Sequence, residues 1–134
     1  MSNNKPVTPV VAICILRQGK VLLKRKGGSS SFAEYYCFPH GKILFGEDLH
    51  PSLRRIAKLS LGLNIKVDRL LLAKNIVDPL PTGHESVLTL YYRCSVISGL
   101  PNLGNKEGIL WRLPSQVQDL NVLLGTLEAV RLLV

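Results

Sequence analysis

Acidic residues are scarce in this chain. Nine Asp and Glu stand against 17 Lys and Arg over 134 residues, a formal net charge of +8. Between Asp48 and Leu63 there is no acid at all. Such a balance favours an anionic partner, whether nucleotide, polyphosphate, nucleic acid or acidic lipid, although excess lysine also serves plain solubility. Cysteine is sparse too: Cys14, Cys37 and Cys94 are an odd number without metal-ligand spacing, which excludes a disulfide framework and a zinc site of ordinary pattern. All three lie in apolar, strand-like runs, the setting of buried reduced thiols in a cytoplasmic protein. Long hydrophobic runs are missing as well. Val10 to Leu16 is too short to span a membrane, Arg17 ends it, and no small-residue cleavage pattern marks a secretory signal.

What is present is a folded domain. At 134 residues, 46% of them hydrophobic, the chain buries a core as one unit, residues 1–134, with residues 1–8 as a polar lead-in. Val10 to Leu16 and Lys20 to Lys26 flank Arg17-Gln18-Gly19 and read as a hairpin. The near-continuous apolar character of the first run suits a strand covered on both faces. A loop follows at Gly27–Ser31. Ile65 to Val77 reads as one or two strands with a polar break at Asp68-Arg69, and Asp78 to Glu85 as a loop with two prolines. Val87 to Ile97 is a long strand of branched and aromatic residues, and Ile109 to Leu113 a shorter one. Ser115 and Gln118 have the spacing of a capping box. Asn121 to Val134 carries Leu123, Leu124, Leu127 and Val130 at helical spacing and predicts an amphipathic helix.

The most informative stretch runs from Tyr36 to Leu63. An aromatic-capped strand leads through Phe38-Pro39-His40-Gly41-Lys42 into a loop ending in Glu47-Asp48. Leu49, Leu53, Ile56 and Leu63 then have helical spacing, with Pro51 suited to the first turn and Gly62 to the C-terminal cap. This strand–loop–helix resembles the signature of the Nudix hydrolases, G-x5-E-x7-R-E-U-x-E-E-x-G-U, with U an aliphatic residue. Gly41, Glu47, Arg55, Ala57, Gly62 and Leu63 fall on it in register, and the lead-in is similar to the family's F-P-G-G-K with His40 at the first glycine. The resemblance implies an α/β (α+β) fold, a mixed β-sheet sandwiched between helices. It implies pyrophosphate-bond hydrolysis of nucleoside diphosphates linked to another moiety, with Mg or Mn as cofactor.

The departures bear on the chemistry. Ile56, Leu59 and Ser60 stand where the family has the glutamates that hold the metals. Positions 56, 59 and 60 share one face of an α-helix, so that face loses its ligands together. Hard cations need oxygen donors, usually including carboxylates, and Leu and Ile supply none. The implied catalysis is therefore expected to be weak or lost. Glu47 and Arg55 remain as candidate catalytic residues or as a structural pair, and Glu47 alone as a metal ligand. His84 is a candidate base from a late loop, as in some family members, while His40 and His50 lie on separate turns. Lys42, Lys24, Gly41 and Phe38 are the candidates for substrate binding. The alternative is a non-catalytic module on the same fold that binds a nucleotide, RNA or a protein, with a homodimer compatible. Ile56 and Leu59 are expected to be covered by collapse of the groove around Phe45 or the Pro79–Glu85 loop.

Overall fold

The computed structural model describes residues 6–25, 35–77, 86–100, 108–122 and 125–134. Seven strands form the sheet system. In chain order the elements are β1 (Val7–Arg17), β2 (Lys20–Arg25), β3 (Tyr36–Cys37), β4 (His40–Lys42), α1 (Leu49–Ile56), a π-helical turn (Ala57–Leu61), β5 (Asn64–Val77), β6 (Ser86–Ser98), β7 (Ile109–Arg112), α2 (Pro114–Val117) and α3 (Thr126–Leu133). The sheet is mixed, in the order β3-β2-β1-β6-β5, with β4 paired to β1 and β7 to β2.

β1 and β2 turn at Gln18-Gly19, both with positive φ, as tight hairpins require. Their mutual register is short, Leu16↔Val21 and Arg17↔Lys20. Beyond it β1 runs parallel to β6 from Val7↔Ser86 to Ile15↔Cys94. The stretch that precedes the box is clamped by both arms of this hairpin. Cys37 and Tyr36 pair with Lys24 and Arg25, His40 to Lys42 pair with Ala12 to Val10, and the Ile13 N–H donates to the Pro39 carbonyl at 2.8 Å. Residues 10–15 of β1 are all buried, as their apolar run predicts.

Alternation along the strands builds two apolar layers, one on each face. Val11, Ile13, Ile15, Leu22, Ile65, Tyr92 and Cys94 pack with Leu53, Ile56 and Leu61 of the box helix. Ala12, Cys14, Val21, Leu23, Phe38 and Tyr91 pack with Ala129, Val130 and Leu133 of α3. The sheet thus lies between the box helix and the C-terminal helix. All three cysteines are buried, and none is in a disulfide. No described helix is long and apolar enough to cross a membrane.

Several boundaries differ from the sequence reading. Val7 and Thr8 belong to β1 through their pairing with Ser86 and Val87, so the lead-in is shorter than residues 1–8. β5 is one strand, and the polar break at Asp68 is a register shift between Val67 and Arg69. The cap of α2 falls two residues earlier than Ser115–Gln118: the Leu113 N–H donates to Gln116 Oε1 at 3.0 Å. The last helix begins at Thr126, not Asn121. Gly125 explains this start, since its φ of 92° is not helical and a Cβ there would collide with the Tyr91 hydroxyl. Val122 instead bridges to Tyr36. The loops at Gly27–Ser31, Asp78–Glu85 and residues 101–107 lie outside the described residues.

Candidate functional site

The site is the loop from Lys42 to Asp48 and the helix it enters. Leu44 to Glu47 form a tight turn, with the Glu47 N–H donating to the Leu44 carbonyl at 3.0 Å. Gly46 holds φ +76° at the third position, where a side chain would strain the turn. Asp48 caps α1, its Oδ1 accepting the Leu49 N–H at 2.8 Å. An acid also suits the positive end of the helix.

Glu47 organises this loop. Its Oε1 accepts from the Ser52 hydroxyl at 2.6 Å, the Leu44 N–H at 3.1 Å and Arg55 Nη2 at 2.9 Å, while Oε2 accepts from Arg55 Nε at 2.9 Å. Arg55 Nη2 also donates to the Lys42 carbonyl at 2.9 Å. The pair is therefore two-pronged, the geometry in which Arg–carboxylate contacts are strongest. These bonds, those from Arg55 first and then Ser52, hold the Glu47 carboxyl at about 2, below the ordinary carboxylate range. In return Glu47 raises the Arg55 guanidinium above its ordinary value. Ser52 is fully buried beneath the pair. Sequence reasoning passed over it, and the available signal was a hydroxyl one helical turn into α1, facing back toward the loop.

A pH dependence follows from the lowered value. Because the folded carboxyl is more acidic than its unfolded counterpart, the stabilisation from this network is complete above about pH 4.5 and is lost as pH falls toward 2. Glu47→Gln is expected to flatten the pH dependence of the unfolding midpoint in that window. Identical acid profiles for variant and wild type would contradict it.

Gly41 and Ile56 meet across the site. A Cβ on Gly41 would lie 2.8 Å from Ile56 Cδ1 and 3.0 Å from Cγ1, so any larger residue there would require the Ile56 side chain to shift. Ile56 is buried at 4% exposure, as the sequence reading expects. Leu59 is not: it is 74% exposed, and Phe45 is fully exposed on the turn. The expected collapse around Phe45 does not occur. The helix changes type between the two residues, the Gly62 N–H reaching both the Ala57 and the Lys58 carbonyl. This wider turn shifts the phase of the helix, so residues three apart no longer stack as they do in an α-helix. Gly62, at φ +70°, ends it in the left-handed conformation expected of a C-terminal glycine.

The other candidates are dispersed. Phe38, expected at a ligand, is 1% exposed and packs edge-on against Tyr91 in the layer beneath α3, away from the box helix. Lys42 is exposed at the end of β4, and Lys24 is half-buried in β2. His40 Nδ1 lies 2.9 Å from the Phe38 carbonyl, which can only accept, so that nitrogen carries its proton. It therefore cannot serve as a base toward Cys37 Sγ, 3.7 Å away. His50 stacks edge-on against Tyr92. His84 lies outside the described residues.

Among the described residues no three His, Cys, Asp or Glu converge as a metal site. Glu47 already accepts four hydrogen bonds, and Ile56 and Leu59 offer no donor atom.

No protein-family model matches the sequence, and no curated protein is significantly similar to it. Solved structures do match over nearly the whole chain. A MutT Nudix hydrolase from Burkholderia pseudomallei aligns at 18% identity with a TM-score of 0.82, covering 97% of this chain and 100% of that one. The MutT protein of methicillin-resistant Staphylococcus aureus 252, described as a Nudix hydrolase, aligns at 22% identity with a TM-score of 0.75, covering 96% and 97%. An ADP-ribose pyrophosphatase from Streptococcus suis aligns at 17% identity with a TM-score of 0.67, covering 94% and 88%. The mixed sheet between two helices, the loop pinned by Glu47 and Arg55 and these alignments agree on one architecture: the chain has the Nudix fold.

Proposed function

We propose that this protein is a Nudix-fold module that binds a nucleotide or a related phosphate-containing small molecule, and in which metal-dependent hydrolysis of linked nucleoside diphosphates is weak or lost. One observation carries the reading: Ile56 is packed under Gly41 where a metal-binding carboxylate would be needed. Catalysis of this class depends on a cation to neutralise charge developing on the phosphates. Neither Ile56 nor Leu59 can hold one, and Glu47 is committed to Arg55, Ser52 and the Leu44 amide. On this reading Glu47 and Arg55 are structural. They fix a turn that presents Lys42 and Phe45 to solvent, a cation for phosphate and an aromatic face for a base. The overall charge of +8 favours the same class of ligand.

ADP-ribose is a suitable probe, since a pyrophosphatase of that compound shares the fold. With magnesium or manganese present, purified protein is expected to show weak turnover or none. Calorimetry is expected to detect metal-independent binding that Lys42→Gln weakens several-fold. Efficient metal-dependent turnover that Glu47→Gln abolishes would overturn the proposal in favour of a working hydrolase.

A further inference from the structure

On the sheet face away from the box helix, two arginines stand directly opposite each other. Arg69 of β5 is the register partner of Arg93 of β6. Tyr92 and Cys94 belong to the layer under α1 and Tyr91 to the layer under α3, so alternation places Arg93, with Arg69 beside it, on the α3 side. Directly opposed residues of an antiparallel pair have Cβ atoms roughly 4.5–5.5 Å apart, and like charges at that spacing destabilise a sheet. Neither guanidinium makes a hydrogen bond or ion pair with another described residue.

The neighbouring carboxylates are engaged elsewhere. Asp68 accepts from the Ser95 hydroxyl at 2.6 Å and has Lys66 Nζ at 4.0 Å, and Glu128 is paired with Lys74. Among the described residues this corner therefore holds Lys66, Arg69 and Arg93 with Asp68 as the nearby acid. On its other side Arg93 adjoins fully buried Cys14, its partner in β1, so one flank of the pair is a low-dielectric wall. Two register shifts, between Val67 and Arg69 and between Leu70 and Leu72, bracket Arg69. Bulges of this kind re-aim side chains and recur beside functional sites.

We infer that Arg69 and Arg93 form an anion site for the phosphate group of a small ligand, separate from the box loop. Planar guanidinium groups side by side match phosphate oxygens in a two-pronged manner that ammonium groups do not. A bound dianion also removes the repulsion that the register imposes.

Inorganic pyrophosphate is the probe, at constant ionic strength. Without it, Arg93→Gln is expected to raise the unfolding midpoint, because one of two opposed charges is gone. With it, the wild-type midpoint is expected to rise, and the double variant Arg69→Gln/Arg93→Gln to bind at least tenfold more weakly. Arg93→Lys, which keeps the charge without the planar fork, is expected to bind at intermediate strength. The fold-loss caused by the double variant is expected to be the same with or without Lys42→Gln in the background, which separates the site from the box loop. Two results would overturn the inference: wild-type pyrophosphate affinity in the double variant, or a fall in midpoint on Arg93→Gln without anion, which would mean that the chain itself supplies Arg93 with a partner. Either result leaves the reading of the box loop standing.

Discussion

Replacing Ile56 by glutamate is expected to lower the stability of the folded protein by roughly 3–5 kcal/mol at pH 7, the usual cost of an unpaired charge left in a buried position. The substitution restores a family residue, yet the surroundings do not suit it. Ile56 is 4% exposed, and its outer methyl occupies the space that any Cβ on Gly41 would need. Its neighbours Leu53, Ala57 and Ile65 are apolar. Burial raises the pKa of a carboxyl group, so the variant is expected to fold with this group neutral. The deficit should therefore be smallest below about pH 4.3, the ordinary Glu value, and should grow as pH rises above it. Ile56→Met supplies the control for shape without charge and is expected to cost less than about 1.5 kcal/mol. Urea unfolding at pH 4 and pH 7 measures both. A glutamate variant as stable as wild type at pH 7 would mean that the helix face opens readily and can accept a metal ligand.

The same residues show what the sequence could and could not reveal. Helical spacing placed Leu53 and Ile56 in the core correctly, and the family resemblance implied a Glu47–Arg55 pair that the side chains indeed form. An α-helical phase throughout would set Leu59 on the same face as Ile56, whereas the turn from Ala57 to Leu61 is π-helical. Nothing in Ala-Lys-Leu-Ser-Leu signals that change. Gly62 and Gly125 illustrate a similar limit. The first was legible as a helix stop from position alone. The second depends on the Tyr91 hydroxyl standing where its Cβ would be, a contact between residues 34 apart in sequence. The arginine pair was also hidden, because its register depends on bulges that strand periodicity cannot reveal.

Phe38→Ala is expected to destabilise the protein by about 3–5 kcal/mol, in the range of large-to-small aromatic changes in a core. The sequence admits another role for Phe38, since an aromatic beside a box-like loop is well placed to stack on a base. Its location decides otherwise. Phe38 belongs to the layer beneath α3, whereas Gly41, three residues on, meets Ile56 of the box helix. There it touches Tyr91 at a ring-centroid distance of 6.4 Å and an interplanar angle of 75°, the edge-to-face arrangement that aromatic pairs favour. Truncation removes that contact and leaves a void among Leu23, Ala129 and Val130, whose backbones are held by the sheet and by α3 and can close in only partly. Phe38→Leu keeps most of the volume and should recover more than half of the loss. Nucleotide binding, corrected for the folded fraction, is expected to be unchanged in Phe38→Leu and reduced in Phe45→Ala, whose ring is fully exposed on the turn. The reverse pattern, with binding lost in Phe38→Leu at full stability, would return Phe38 to the ligand site and require the layer beneath α3 to open.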